Sequence, residues 1–139
     1  MARTSTYLNF DGTTEAAFTF YAHVLGGQLG TIFRYAGTTF EGQVPADWND
    51  KVMHGSVTVA GMELMGADVA PDRYEAPRGF SLSIHLTDIA DAERIFQALS
   101  TGGRIVMGLE QTFWAERFGM LTDRFGMSWM INCGSGEAA

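Results

Sequence analysis

Gln111-Thr-Phe-Trp-Ala-Glu-Arg-Phe-Gly-Met-Leu-Thr-Asp-Arg-Phe-Gly-Met-Ser-Trp-Met-Ile-Asn132 reads as two strands around a turn. Aromatic and Met residues alternate with small or polar ones, which is the period of a strand with one apolar face. The run Asp123-Arg124-Phe125-Gly126 breaks that alternation as a turn would. Strands are predicted over 113–121 and 128–133, forming a hairpin whose one face lines something apolar.

Upstream of the hairpin, residues 88–100 place Ile89, Ala92, Ile95, Phe96 and Leu99 at helical spacings, with Asp88 positioned to accept orphan backbone N–H groups at the amino end. Residues 13–25 do the same with Ala16, Ala17, Phe20, Tyr21 and Val24. Each helix stops at a glycine pair, Gly26-Gly27 and Gly102-Gly103, and the pairs are 76 residues apart (102 − 26). That same offset superposes Ala16 on Ala92 and Phe20 on Phe96. A strand-like run precedes each helix, 7–10 and 80–87. Further runs follow: 28–35, 52–59 and 63–65 in the first half, 104–109 and the hairpin in the second.

The order is β-α-β-β-β twice, an α+β chain of two repeated modules. Module 1 takes about residues 1–68, a linker with Pro71 and Pro77 takes about 69–78, and module 2 takes about 79–134. One helix covers one face of such a sheet and leaves the other open, so pairing the modules would enclose a shared cleft. The competing architecture is a single ferredoxin-like sandwich with extra strands. The 37–50 loop, with Pro45 and Asp47-Trp48-Asn49-Asp50, reads as a lid, a dimer contact or simply a place where Trp48 packs.

Composition narrows the function classes. The 139 residues are 46% hydrophobic and 18% charged, which suits one globular domain. Nine basic against sixteen acidic residues give a net charge of −7, with no basic run, which argues against nucleic acid as a partner. The amino-terminal residues show no apolar export segment, and no apolar run reaches membrane-spanning length. A single cysteine, Cys133, at the end of an apolar strand, reads as packing and suits a reducing cytoplasm.

Candidate chemistry is sparse. Of three histidines, His23 lies on a helix surface, while His54 and His85 sit in strands. A His54–His85 metal pair completed by Glu63 or Glu110 would require four strands to converge. Separate histidines hydrogen-bonded at strand ends is the simpler reading. Glu63 stands in an apolar strand beside Met62, Leu64 and Met65, where burial would make it a general base and exposure an ordinary surface acid. Arg117 and Asp123 read as a structural pair, and Glu116 as a water-facing residue. Eight methionines, among them Met65, Met107, Met120, Met127 and Met130, suit a soft core or a promiscuous apolar pocket.

Tyr7-Leu-Asn-Phe-Asp-Gly12, Phe20-Tyr21, Val24-Leu-Gly-Gly27, Lys51-Val-Met-His54, Gly61-Met-Glu-Leu-Met-Gly-Ala-Asp68 and the closing hairpin cover nearly the whole chain. In that order they resemble the PhnB-like branch of the glyoxalase/bleomycin-resistance/dioxygenase (vicinal oxygen chelate) superfamily. The resemblance implies paired β-α-β-β-β modules forming a cupped mixed sheet, commonly in a homodimer. Metal enzymes of the superfamily take ligands from the first and last strands of both modules. Those positions fall near Thr6, Met65, Phe80 and Met130, with a two-residue slip moving Phe80 to Leu82. None makes a His, Gln or Glu set suited to holding a cation. The expectation is therefore metal-free and cofactor-free binding of a small hydrophobic or aromatic molecule, with His54, Glu63, Met65, Phe80, His85, Trp114, Phe118 and Met130 as cleft residues. The alternative is a metal-dependent lyase, isomerase or dioxygenase. The family's methyltransferase label is disfavoured, because the chain has no glycine-rich strand-turn-helix for a methyl donor.

Overall fold

Alternating apolar runs become eight strands and the two helically spaced runs become two helices in the computed structural model, which describes residues 1–134. The chain divides into two compact units, Met1–Ala76 and Pro77–Ala139. In the first, β1 (Thr6–Phe10), α1 (Thr14–Leu25), β2 (Gln28–Arg34), β3 (Val52–Val59) and β4 (Met62–Asp68) follow in order. In the second, β5 (Leu82–Leu86), α2 (Ile89–Ser100), β6 (Arg104–Glu110), β7 (Arg117–Thr122) and β8 (Ser128–Cys133) repeat that order.

Each unit owns a four-stranded mixed sheet, ordered β1-β4-β3-β2 and β5-β8-β7-β6, with only the β1–β4 and β5–β8 pairs parallel. Strands partitioned equally into two sheets exclude the single ferredoxin-like sandwich. The class is α+β with paired modules, and the mixed sheet expected as one is two. No described helix is long and apolar enough to cross a membrane.

The repeat has an internal change of step. Thr6 to Leu82 and Gln28 to Arg104 keep the offset of 76, but Met65 and Met130, equivalent in the two sheets, lie 65 apart (130 − 65). The cause is the connection before the third strand of each unit. It has 17 residues (35–51) in the first and six (111–116) in the second. The longer one contains the 3-10 turns Glu41–Gln43 and Ala46–Trp48, and Trp48 is buried.

Helix α2 buries Ala92, Ile95, Phe96 and Leu99 as its spacing requires, and Asp88 accepts the Asp91 N–H at 3.1 Å as a cap. Helix α1 differs from expectation. It buries Thr14, Ala17, Phe18, Tyr21 and Val24, leaving Phe20 half-buried and Ala16 exposed. Phe18 takes the central place because its ring meets Phe10 edge-on at 5.7 Å. After α1, Gly26 adopts a left-handed conformation (φ 69°), and Gly27 then lies against the Thr58 backbone of β3. Gly103 lies in the same way against Thr122 of β7.

Two buried aspartates tie the ends of neighbouring elements together. Asp68, at the end of β4, accepts Thr14 N–H at 2.9 Å and the Thr14 hydroxyl at 2.6 Å on Oδ1, and Val52 N–H at 2.8 Å on Oδ2. Asp123, after β7, accepts Phe125 and Met127 N–H, each at 2.9 Å, and the Trp129 indole N–H at 2.9 Å. The Arg117–Asp123 pair expected from sequence is thereby corrected. Arg117 opens β7 and Asp123 follows its far end, Arg117 donates to the Glu116 carbonyl, and the Asp123 carboxylate ties the hairpin turn to Trp129.

Candidate functional site

Residues facing α1 in the first sheet are buried: Leu8, Phe10, Val57, Val59 and Leu64. Strand alternation therefore turns Tyr7, Asn9, His54, Ser56, Glu63 and Met65 to the open face. The register sets Tyr7 beside Met65, Met65 beside Ser56 and Phe33 beside His54. The three rings form a row, with His54 stacked against Tyr7 (5.6 Å, 27°) and against Phe33 (6.4 Å, 30°). The Tyr7 hydroxyl lies 3.0 Å from His54 Nδ1. Burial, then the neighbouring Tyr35, pushes the Tyr7 phenol up, so it stays a neutral O–H able to donate. Glu63 is neither buried nor alone, because Arg3 pairs with it at 3.2 Å. An ordinary surface carboxylate is what remains of the proposed base.

The second sheet buries Leu82, Ile84, Leu121, Trp129 and Ile131 and turns Ser83, His85, Met120, Met130 and Asn132 outward, with Phe118 on that same side but buried. Met130 stands between Ser83 and Met120, and Asn132 between His85 and Phe118. Trp114 meets Phe118 edge-on at 5.1 Å, and Phe113 meets Trp114 at 4.8 Å. Trp114 keeps 42% of its surface exposed and Phe113 97%. A polar notch interrupts this apolar face. His85 Nε2 lies 3.2 Å from the Ser83 hydroxyl, and Asn132 Oδ1 is buried with no hydrogen-bond partner.

Four of the expected cleft residues, His85, Trp114, Phe118 and Met130, thus share one face, and His54, Glu63 and Met65 share the equivalent face of the first unit. Phe80 joins neither. It precedes β5, and its parity is that of buried Leu82, so the two-residue slip does not rescue it. The residue opposite Met130 is Ser83, and the residue opposite Met65 is Tyr7 rather than Thr6. The strand expected over 113–121 begins only at Arg117, because Thr112 N–H bonds the Ala115 carbonyl and closes a turn there.

A second concavity lies in the first unit alone. A cavity of about 320 Å³ is lined by Tyr35, Phe40, Gln43, Met53, Ala67, Asp68, Val69 and Arg73. Tyr35 donates to the Asp68 carbonyl at 2.6 Å, and Arg73 Nη2 donates to the Gln43 carbonyl at 3.2 Å. Burial raises the Tyr35 phenol, the Asp68 carboxylate adds to this, and Arg73 opposes it.

No group of three or more His, Cys, Asp or Glu side chains placed to hold a metal occurs among the described residues. His54 and His85 belong to different units. Cys133 is buried, and burial followed by the Glu116 carboxylate pushes its thiol up. Its thiolate is favoured only in the unfolded chain, so its contribution to stability is lost as pH rises past the ordinary thiol value. Native protein is expected to resist iodoacetamide at about pH 8, with alkylation appearing only on unfolding, a contrast read by intact mass.

The profile of the family described as 3-demethylubiquinone-9 3-methyltransferase matches residues 2–132. Protein YjdN of Escherichia coli is 32% identical, covering 92% of each chain. The chain belongs to the PhnB-like family. Protein PA1353 of Pseudomonas aeruginosa is 41% identical with a TM-score of 0.85, covering 96% of this chain and 98% of that one. A putative 3-demethylubiquinone-9 3-methyltransferase, PhnB protein, of Bacillus cereus shares the fold at TM-score 0.82 and 24% identity, over 96% and 100% of the two chains. A glyoxylase/bleomycin resistance protein/dioxygenase domain of Frankia shares it at 0.66 and 11%, over 96% and 98%.

Within this PhnB-like chain, sequence reasoning missed Tyr7, Asn132 and the cavity residues. Tyr7 and Asn132 were recoverable, since each is a polar-capable residue at an outward position of an alternating strand. The cavity was not, because Tyr35, Phe40 and Arg73 come from irregular segments whose side chains no periodicity orients.

Proposed function

We propose that this PhnB-like protein binds a small hydrophobic or aromatic molecule without a metal or cofactor. The observation that carries the reading is the second unit's open face, where Trp114 (over the buried Phe118), Met120 and Met130 share a side with the orphaned Asn132 Oδ1. Apolar lining with a few placed polar groups is the usual make-up of small-molecule sites. An O–H or N–H of the ligand would satisfy Asn132, whose unpaired state otherwise costs about 1–3 kcal/mol. His54, Glu63 and Met65, on the first unit's equivalent face, extend the same proposal. Homodimeric assembly, suggested by family resemblance, and a cytoplasmic location, suggested by one buried free cysteine, belong to it too.

Methyl transfer is not proposed. The family's description is a name, and two mixed four-stranded sheets offer no parallel strand-turn-helix crevice of the usual methyl-donor type. Metal-dependent lyase, isomerase or dioxygenase chemistry is the second reading, supported by fold likeness alone, and would have to recruit His54 or His85.

1-Naphthol, an aromatic ring with one O–H, tests the first reading. Trp48 and Trp129 are buried, so saturable quenching reports chiefly on Trp114. Met130→Ala should weaken binding roughly tenfold, from the lost burial of the ring against one apolar side chain. Stoichiometric divalent metal in natively purified protein, removed by His54→Ala or His85→Ala, would replace this proposal with the enzyme reading.

A further inference from the structure

The first unit's cavity has a chemical character that the open faces lack. Its body is apolar, from Tyr35, Phe40, Met53, Ala67 and Val69, and one guanidinium, that of Arg73, stands on its lining. Arg73 forms no ion pair among the described residues, and its one hydrogen bond goes from Nη2 to a backbone carbonyl. The remaining N–H donors of its fork are uncommitted. In a chain with nine basic residues and a net charge of −7, such an arginine on an apolar cavity stands out.

The one acid on the lining does not compete for it. Both Asp68 carboxylate oxygens already accept hydrogen bonds, Oδ1 from Thr14 at the start of α1 and Oδ2 from Val52. The amino end of α1 also favours negative charge there. Tyr35 spends its hydroxyl hydrogen on the Asp68 carbonyl, leaving the ring to line the cavity.

We propose that this cavity is a second binding site, separate from the aromatic face of the other unit, and that it takes a small monocarboxylate with an aromatic or short aliphatic body. The carboxylate meets the Arg73 fork, and the body lies among Phe40, Met53 and Val69. A volume of about 320 Å³ is at the small end of ligand pockets, which sets the size of the body. A guanidinium–carboxylate contact is charge-assisted and geometrically matched, so the anion should outbind its neutral isostere.

The probes are phenylacetate and octanoate, each compared with its primary amide. The readout is the set of methionine methyl resonances, in which Met53 reports the cavity and Met120 and Met130 the second unit's face. The expected result is a saturable Met53 shift, with each acid binding roughly tenfold or more tightly than its amide. Arg73→Gln should erase that preference while leaving amide affinity unchanged. Equal binding of acid and amide, or a preference that survives Arg73→Gln, overturns the anion assignment. Shifts confined to Met120 and Met130, or no Met53 shift with any of the four probes, overturn the site itself, and 1-naphthol binding at Trp114 stands or falls separately.

Discussion

Asp68→Ala should cost the protein about 3 kcal/mol or more. The substitution removes one carboxylate and strands three buried donors, Thr14 N–H, Thr14 O–H and Val52 N–H. Each orphaned donor carries a penalty of about 1–3 kcal/mol when buried. The loss is topological as well as local. Asp68 sits at the end of β4 and joins the start of α1 to the start of β3, elements 54 and 16 residues away in sequence. Asp68→Asn provides the control. It keeps the shape but turns one acceptor into a donor, so it should fall between wild type and alanine. Urea unfolding of the three proteins, with comparable slopes, measures the series. A near-neutral Asp68→Ala would show that the three donors find other partners.

The second large effect is a contrast within one glycine pair. At Gly26 nothing lies within 4 Å of an added Cβ, so Gly26→Ala bears only the strain of φ 69°, about 1–2 kcal/mol. At Gly27 the added carbon would overlap the Thr58 carbonyl oxygen and approach Val59 Cγ1 at 2.7 Å. Backbone cannot rotate away as a side chain can, so β2 would have to lift from β3, at a cost of about 3 kcal/mol or more. Gly103→Ala should behave like Gly27→Ala, because its Cβ would overlap the Thr122 carbonyl. Thermal midpoints of the three variants decide the matter. If Gly26→Ala proves the costlier of the pair, left-handed geometry rather than close approach governs this corner.

The second glycine of each pair also shows what was legible in sequence. The pairs are a bare repeat in the letters, and they revealed the two modules because close packing of β2 on β3 and of β6 on β7 demands a missing side chain twice. Strand runs with clear alternation, 52–59 and 128–133, appear at those bounds in the structure. Alternation gave way where a turn borrowed strand-like residues. Phe113 and Trp114 look like strand, but the hydrogen bond between Thr112 and Ala115 makes them part of a connection. In α1 the spacing alone puts Phe20 inward where the structure buries Phe18, because the two lie on different sides of a helix and composition does not choose between them. Only Phe10, on another strand, does so.

The candidate site was legible to the extent that strands carry it. His54, Met65, His85, Phe118 and Met130 followed from alternation. The resemblance places Thr6 and Phe80 where register places Tyr7 and Ser83, offsets of one and three residues, and any odd offset reverses a side chain's face. The Asn132 oxygen gains its meaning only from the partner it lacks, which no single strand reveals.

The unequal connections, 17 residues against six, also bear on how such a chain can diversify. Closing the longer loop costs about 0.9 kcal/mol more than closing the shorter, because closure entropy grows only with the logarithm of length. For that small cost one of two like-ordered units carries Tyr35, Phe40 and Gln43 as cavity walls while its sheet has the same pairing pattern as the other's. Transplanting the 35–51 segment into the 111–116 gap is thus a thermodynamically modest graft, and this junction can change in length without renegotiating the core.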